Sequence, residues 1–164
     1  MPVSGQAGPE QAGVVLTRAS ALSIVLVAIG LVPAASSASE RWYSQQQAEA
    51  GEAVYRASCL SCHLEAGAGA ENWWQRDAEG KLPPPPLNGT AHTWHHDLGV
   101  LIKIVLDGGS RFGGSMPGFG RQLSAKEIVA VIAYVQSLWP NEIYGIWAES
   151  FPESASRGIP IPAD

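Results

Sequence analysis

The sequence predicts an all-α protein, and three observations lead to that prediction. Apolar side chains recur at three- and four-residue spacing in three segments, as they do on the buried face of an amphipathic helix. Helix start or stop signals bound each of these segments. No segment alternates apolar and polar residues for long enough to predict a β-strand. Stretches rich in Gly and Pro join the segments, so we expect long loops between the helices.

The first predicted helix begins at Ser44, which forms a capping-box pattern with Gln47. Residues at helical spacing then follow along one face, namely Ala48, Gly51, Tyr55, Ser58 and Cys62. The pattern runs into a glycine-rich stretch, so we expect this helix to end near Gly67–Gly69.

The second and third predicted helices are more strongly apolar. The second covers residues 97–107 and stops at Gly108. Its apolar face carries Leu98, Leu101, Ile102 and Val105. The third begins with another capping box, from Ser124 to Glu127, and ends at Pro140. Its apolar face carries Ile128, Val131, Ile132, Val135, Leu138 and Trp139.

Composition excludes several classes of protein. A chain of 164 residues supports one domain of ordinary size. With 46% apolar and 15% charged residues, it does not have the composition of a disordered chain. The net charge of −5 argues against a nucleic acid as partner. Two cysteines are too few for a disulfide-dense scaffold or a four-cysteine zinc site.

The N-terminus resembles an export signal rather than part of the fold. Residues 21–32 form an uncharged apolar core of twelve residues, and Arg18 precedes it. A membrane-spanning helix needs about 20 apolar residues. Ser36 and Ala38 fit the small positions of a cleavage site, so we expect residues 1–38 to be a signal peptide. The alternative is that the same segment stays uncleaved as an anchor.

Two further regions stand out, a long loop inside the predicted domain of residues 39–140 and the tail that follows it. Residues 64–96 include Trp73, Trp74, four consecutive prolines and three histidines, with little predicted regular structure. A loop of this length is uncommon in a compact domain, and wrapping a large bound group would explain it. The tail over residues 141–164 contains prolines and no clear periodicity, so we expect it to be irregular.

The chemistry centres on residues 59–63, which read Cys-Leu-Ser-Cys-His. This is the attachment pattern of c-type haem. Positions i, i+3 and i+4 lie on one face of a helix, so Cys59, Cys62 and His63 point the same way. The two sulfurs can then bond to the two haem vinyl groups, while the imidazole reaches the iron. The pattern predicts one covalently bound haem c per chain.

Three other interpretations of the same residues are a structural disulfide, a thioredoxin-like dithiol and half of a zinc site. The zinc site would need two ligands from His92, His95 and His96. The dithiol enzymes have a strand before their Cys-x-x-Cys motif, whereas an amphipathic helix precedes it here. The haem interpretation is therefore favoured.

Met116 is the candidate for the second axial ligand of the iron. It lies in a glycine-rich loop before the third helix, and its thioether would favour ferrous iron and raise the potential. The alternative role for this residue is to fill a gap in the core. His92, His95 and His96 are the competing ligands, and we interpret them as a polar cluster on the haem-wrapping loop.

With these residues the chain resembles the class I c-type cytochromes over residues 44–140. The shared features are the Cys-x-x-Cys-His motif near the N-terminus and Met-Pro-x-Phe near the C-terminus. The resemblance implies a cytochrome c-like fold, in which three main helices and long loops wrap one covalent haem. It also implies that Gly51 and Tyr55 cross the last helix near Tyr134.

The resemblance adds one residue to the predicted site. Residues 85–89 resemble the Pro-x-Leu-x-Gly stretch of the family, in which a prolyl carbonyl accepts the Nδ1 proton of the haem-ligating histidine. Pro85 matches that position, with Pro86 beside it in a similar register. Such a hydrogen bond would fix the tautomer and the ring orientation of His63.

The predicted function is single-electron transfer by haem c, with Cys59 and Cys62 attached to it and His63 and Met116 as axial ligands. The chain would then be a carrier and not an enzyme, in the bacterial periplasm, soluble or anchored to the inner membrane. Its partners would be redox proteins, including membrane respiratory complexes. With three lysines it has no basic ring for docking, so we expect an apolar or locally charged contact.

Other functions remain open at this point. One is a haem subunit of a membrane-bound oxidoreductase, which differs from a free carrier in its partners and not in its chemistry. Another is a haem enzyme or gas sensor with an open sixth position on the iron. A haem-free dithiol or metal-binding protein is the most distant alternative.

Overall fold

A computed structural model of the chain describes residues 1–2, 4–5 and 40–159. The chain divides into two compact units, Met1–Ala35 and Ser36–Asp164, and the described helices all belong to the second. The predicted signal peptide, residues 1–38, lies outside the described residues except for four positions near its start. The last five residues of the predicted tail lie outside them as well.

Over residues 40–159 the chain is helical and forms no β-strand, which confirms the predicted all-α class. The α-helices are α1 (Gln45–Ser58), α2 (Leu60–His63), α3 (Leu98–Asp107), α4 (Ala125–Ser137), α5 (Asn141–Ser150) and α6 (Pro152–Arg157). Short 3₁₀ turns occupy Glu65–Gly67, His92–His95 and Ser110–Phe112. None of the described helices is both long and apolar enough to cross a membrane.

The predicted caps are present. At α1, Ser44 Oγ accepts from the Gln47 amide at 3.2 Å, and the Gln47 side chain accepts from the Ser44 amide at 2.8 Å. Ser124 and Glu127 form the same reciprocal pair at α4, and these hydrogen bonds lower the pKa of the Glu127 carboxyl. Each pair satisfies amide groups that have no partner within the helix.

The first helix differs from its prediction. It was expected to continue to Gly67–Gly69, but α1 ends at Ser58 and the short α2 follows after Cys59. The chain then leaves the helix at Leu64, whose φ of 61° a helix cannot accommodate. The break separates the helix that packs on the core from the turn that carries the cysteines and the histidine.

Helix α4 is the centre of the packing. Every residue from Ile128 to Ala133 is buried, as are Val135 and Gln136. One side of α4 packs with α3 and α5 in a cluster formed by Leu98, Leu101, Ile128, Ile132, Trp139, Tyr144 and Trp147. Its other side packs with Tyr55 of α1 through Val131 and Val135, and Cys59 and Leu60 border that second cluster. Because α4 is buried on both sides, it links the cysteine turn to the rest of the core.

Helices α1 and α4 cross at Gly51. A Cβ placed on Gly51 would collide with the backbone of Ala130 and lie 2.9 Å from the Cβ of Tyr134. The absence of a side chain therefore permits the close approach of the two helices. Tyr55 and Tyr134 pack beside the crossing, with ring centroids 5.1 Å apart. The crossing expected from the resemblance is confirmed.

The prediction of an irregular C-terminal tail is wrong for residues 141–157, which form α5 and α6. Tyr144 and Trp147 on α5 are completely buried in the main core cluster. The Trp147 indole also donates a hydrogen bond to the His96 carbonyl at 2.9 Å. The apolar area that these rings bury stabilises the helix, although the sequence of α5 is short and includes a glycine.

Arg41 and Trp42, which precede α1, contact α4 and α5. Arg41 donates to the Gln136 carbonyl at 3.0 Å and to the Asn141 side chain at 2.8 Å. Its guanidinium group lies 3.8 Å above the Tyr144 ring, in a cation–π contact. The Tyr144 hydroxyl in turn accepts from the Trp42 amide at 3.1 Å. These contacts join the beginning of the described domain to α4 and α5.

The role of α5 in the core gives a stability prediction. Trp147→Ala should lower the free energy of unfolding by about 3–5 kcal/mol, because it leaves a cavity and removes the bond to His96. The neighbouring Ile146, 41% exposed, is the matched control, and Ile146→Ala should change the stability by less than about 0.5 kcal/mol. Urea unfolding of both variants measures the difference. Equal effects would mean that α5 does not belong to the core.

Candidate functional site

The Cys-x-x-Cys-His motif consists of Cys59, the N-cap residue, and the single helical turn of α2, Leu60–His63. The Cys59 carbonyl accepts from the Cys62 amide at 3.1 Å and from the His63 amide at 2.9 Å. Both cysteines are free thiols, Cys59 partly buried against the α1–α4 cluster and Cys62 exposed. The turn therefore keeps the i, i+3, i+4 relation between the three residues, although α1 itself has ended.

His63 is the buried end of this turn, with 6% of its surface exposed. Its Nδ1 lies 3.0 Å from the Pro85 carbonyl oxygen. A carbonyl can only accept, so Nδ1 carries the proton and donates, and Nε2 keeps its lone pair. Burial lowers the pKa of His63, and the bond to Pro85 partly opposes that shift. The ring is thus held neutral, oriented and able to bind a metal through Nε2.

The backbone after His63 turns back sharply and is fixed by two hydrogen bonds. The His63 carbonyl accepts from the Gly69 amide at 2.8 Å, and the Leu64 carbonyl accepts from the Tyr55 hydroxyl at 2.7 Å. Leu64 and Ala66 both adopt positive φ values, 61° and 51°, which are unfavourable for residues with a Cβ. Burial raises the pKa of Tyr55 to about 12, so its hydroxyl remains a donor.

The returning chain also supports the acceptor of the His63 bond. Gly69 lies so close to the backbone of Pro85 and Pro86 that a side chain there would collide with it. On either side of this contact, the Ala70 amide donates to the Pro84 carbonyl at 2.8 Å and the Leu87 amide to the Gly67 carbonyl at 2.7 Å. Segments 67–70 and 84–87 are therefore paired, and the Pro85 carbonyl has a fixed position.

The structure distinguishes the two prolines that the sequence left in similar register. The Pro85 carbonyl is the one beside His63, whereas the Pro86 carbonyl accepts from the Thr93 hydroxyl at 3.2 Å. The Leu87 carbonyl then accepts from the indole of Trp139 at 2.8 Å. The proline segment is thus hydrogen-bonded to His63, to Thr93 in the 3₁₀ turn His92–His95, and to Trp139 just after α4.

The Cys59 thiol lacks the lowered pKa of a reactive dithiol. Burial, reinforced by the neighbouring Cys62, raises the pKa of the Cys59 thiol to about 11. Dithiol oxidoreductases depend instead on a cysteine whose pKa is lowered. Nor does the described part of the chain contain three or more His, Cys, Asp or Glu side chains arranged to hold a metal ion, so the zinc alternative lacks a ligand cluster.

Met116 lies half-buried on the loop between α3 and α4. Its carbonyl accepts from the Gly109 amide at 3.0 Å, and the Gly109 carbonyl accepts from the Gly114 amide at 3.1 Å. A Cβ on Gly108 would lie 2.6 Å from the Met116 carbonyl oxygen, so glycine is required for this approach to the end of α3. The loop of residues 109–116 is thereby closed at its base.

A short bridge joins the Met116 loop to the proline segment. The Leu82 amide donates to the Gly113 carbonyl at 2.8 Å, and Leu82 and Gly114 form an isolated β-bridge. Leu82 lies three residues before Pro85 in the chain. The backbone that bears the acceptor of the His63 bond is therefore connected directly to the loop that bears Met116.

The three histidines of residues 92–96 form an aromatic cluster on the long loop. His92 stacks on Trp73 with ring centroids 5.3 Å apart, and its edge meets His96 at 5.6 Å. His95 packs on Trp94 at 3.8 Å. Partial burial and the charges of His96 and His95 lower the pKa of His92.

Several residues of this site were missed at the level of sequence. They are Leu64, Gly69, Leu82 and Thr93, which hold the backbone rather than present a reactive side chain. The Gly67-x-Gly69 pair was a usable signal, because glycines at positive φ mark a tight turn or a close backbone approach. The bridge from Leu82 to Gly113 has no local signature in the sequence.

A buried neutral imidazole oriented by a carbonyl, with two cysteines on the same helical turn in an all-α fold, defines the class of c-type cytochromes. Comparison with known families agrees with this assignment. Residues 46–135, more than half of the chain, match the family described as cytochrome c oxidase, cbb3-type, subunit III. The chain belongs to this family of c-type cytochromes, which are electron-transfer proteins. Membership of the family implies a haem c cofactor.

The chain is also similar to curated cytochrome c subunits. The chain is 27% identical over 123 residues to the cytochrome c subunit of the quinone alcohol dehydrogenase of Gluconobacter oxydans, covering 70% of this chain and 24% of the relative. The corresponding subunit of Gluconacetobacter polyoxogenes is 25% identical over 119 residues, 68% of this chain and 23% of the relative. The chain thus spans about a quarter of the length of these relatives. No solved structure matches it.

The histidine cluster gives a pH prediction. The pKa of His92 should be lower in the folded chain than its ordinary value of 6.5, which the unfolded chain keeps. At pH values between the lowered pKa and 6.5, the folded chain therefore binds fewer protons than the unfolded chain. The free energy of unfolding should therefore fall as the pH is lowered through that interval. NMR titration of the His92 ring in the reduced protein measures the pKa, and Trp73→Ala should raise it by exposing the ring.

Two outcomes would contradict this prediction. A pKa at or above the ordinary value would mean that Trp73 and the neighbouring histidines do not disfavour the charged ring. A His92 ring that does not titrate at all would indicate that it binds the iron, since an iron-bound nitrogen takes up no proton in this range.

Proposed function

We propose that the chain is a monohaem electron carrier or carrier domain. One haem c is attached through Cys59 and Cys62, His63 is the proximal ligand, and Met116 is the distal ligand. The observation that carries the proposal is the hydrogen bond from His63 Nδ1 to the Pro85 carbonyl. A histidine that only filled the core would not need its second nitrogen kept free for a metal.

The residues of the site fit this group. Both cysteines are free thiols, Cys59 partly buried and Cys62 exposed, so neither is occupied by a disulfide that would prevent attachment to the haem vinyl groups. The single Cys-x-x-Cys pair supports one haem per chain. When bound, haem c supplies an iron that cycles between the ferrous and ferric states.

The role of the His63 side of the site is to hold one geometry through both oxidation states. The bond to Pro85 directs Nε2, and the paired segments 67–70 and 84–87 prevent the carbonyl from moving. Burial keeps water away and raises the cost of a charged imidazole. Little rearrangement is then needed when an electron arrives or leaves.

Met116 would supply the soft ligand that distinguishes a carrier from a sensor. Its loop is glycine-rich, closed at its base and bridged to the proline segment, so the thioether is held on a stable backbone. A thioether favours ferrous iron and raises the potential. With both axial positions filled, no substrate binds at the iron and the chain does not act as an enzyme by itself.

A second candidate is a domain or subunit that relays electrons within a larger oxidoreductase. The relatives support it, because each is a cytochrome c subunit of a quinone alcohol dehydrogenase. The chemistry at the haem would be the same. The difference would lie in the partners, which are other redox proteins, and in attachment to the membrane, in a bacterial periplasm, through the N-terminal apolar segment.

The distal ligand is tested by Met116→Ala. The haem should stay attached, the sixth position should open, and the potential should fall by on the order of 0.1 V, a fraction of the ~0.8 V that axial ligands span. Redox titration and the absorption spectrum measure both effects. Met116→His should restore a low-spin spectrum at low potential, and Ser115→Ala is the control for disturbance of the loop.

An unchanged potential in Met116→Ala would contradict ligation by Met116. Loss of all haem from the same variant would point to misfolding, and Met116→His distinguishes the two cases because it restores a ligand without restoring the thioether.

A further inference from the structure

We propose that Arg76 is a positioning residue for the distal side of the haem: it holds the Met116 loop against the proline segment and so limits how often Met116 leaves the iron. The inference rests on the proposed ligation by Met116. It concerns a residue that contacts neither His63 nor the cysteines and that carries no recognisable motif in the sequence.

The Arg76 guanidinium lies against the Met116 loop. It lies where a side chain on Gly113 would project, since a Cβ built there would be 2.7 Å from Nη1 and 3.2 Å from Nη2. Gly113 also has a φ of 82°, which favours glycine. The cation therefore packs directly on the backbone of the Met116 loop.

A hydrogen bond within a compact turn holds the guanidinium in this position. Arg76 Nη1 donates to the Gly80 carbonyl at 2.7 Å. Gly80 belongs to a closed turn in which the Asp77 carboxylate accepts from the amides of Glu79 at 3.1 Å and Lys81 at 2.7 Å. The Asp77 amide donates in turn to the Lys81 carbonyl at 2.9 Å. Arg76 is thus fixed to a compact turn rather than free in solvent.

The turn that holds Arg76 is continuous with both sides of the site. The turn leads directly into Leu82, whose amide bonds the Gly113 carbonyl at 2.8 Å. Leu82 leads into Pro85, whose carbonyl orients His63. On the other side, Gly109 closes the loop onto the Met116 carbonyl at 3.0 Å. Arg76 and Leu82 together hold the outer edge of the loop that carries the thioether.

The bridge itself is short, because Leu82 and Gly114 form an isolated pair and not part of a sheet. A single backbone hydrogen bond at the surface opens readily unless its surroundings restrain it. The guanidinium on Gly113 restrains it from the outside. Removing Arg76 should therefore loosen the loop without disturbing the helical core, which contains none of these residues.

The experiment uses the haem-loaded protein and its Arg76→Ala variant. At saturating imidazole, the rate at which imidazole replaces the sixth ligand of ferric iron equals the rate at which Met116 leaves. We expect a rise of about three- to tenfold, because the guanidinium no longer packs on Gly113 and its charge-assisted hydrogen bond to the Gly80 carbonyl is lost at an exposed site. Amide hydrogen exchange at Leu82, which does not depend on the haem spectrum, should accelerate by a similar factor.

Arg121 provides the matched control. It is also an exposed arginine, and it lies five residues after Met116 on the other flank of the loop. Arg121→Ala removes the same charge from the protein and should leave both rates unchanged. Arg76→Lys should restore part of the protection, since a lysine keeps the charge and one donor but not the planar fork.

Gly113→Ala tests the contact from its other side. It should also raise the imidazole rate, because the new Cβ displaces the guanidinium. Its effect should be smaller in the Arg76→Ala background than in the wild type, and only the strain of the positive φ should remain. Additive effects of the two substitutions would show that they do not act on one contact.

The outcomes separate this inference from the proposed function. A wild-type ferric spectrum without the weak red band of sulfur–iron ligation overturns both. A normal band together with unchanged imidazole and Leu82 exchange rates in Arg76→Ala overturns the role of Arg76 alone. A normal band with both rates raised, and unaffected by Arg121→Ala, supports it.

Discussion

The bond between His63 Nδ1 and the Pro85 carbonyl is the interaction around which the described site is arranged. To bury an imidazole and keep it neutral, the chain must provide one acceptor at a fixed position and leave Nε2 unoccupied by protein. Three features of the turn meet that requirement. They are the positive φ values at Leu64 and Ala66, the absence of a side chain at Gly69, and the hydrogen bond from the Tyr55 hydroxyl to the Leu64 carbonyl. Unfavourable backbone at a single turn is retained because several contacts outweigh its cost.

The packing of the core supports the same turn from behind. Helix α4 is buried on two sides, and it contacts α1 closely because Gly51 has no side chain. Cys59 borders the cluster formed there, so the cysteine turn begins on a rigid surface. The aromatic rings of α5 and the Arg41 contacts close the opposite side of the core. A rigid frame of this kind suits a protein whose iron centre must change charge without changing shape.

The sequence predicted the parts of the molecule whose causes are local. The caps at Ser44 and Ser124, the stop at Gly108 and the turn of residues 59–63 depend on neighbouring residues, and they are present in the structure. The resemblance to c-type cytochromes supplied the crossing at Gly51 and the choice of Pro85, with Pro86 beside it in a similar register.

What the sequence could not predict depends on contacts between distant residues. The sequence does not predict helix α5, because Pro140 ends the preceding helical pattern and because the Trp147 bond to His96 spans 51 residues. The contact of Arg76 with Gly113 and the bridge from Leu82 likewise join segments with no shared pattern.

The central claim, that this frame holds one haem c between His63 and Met116, is tested most directly by the absorption spectrum of the protein purified from a host with haem-attachment machinery. The account predicts haem that stays with the chain in acid acetone and a low-spin ferric spectrum with the weak red band of sulfur–iron ligation. Haem that is extracted, a high-spin spectrum, or a low-spin spectrum without that band would contradict it.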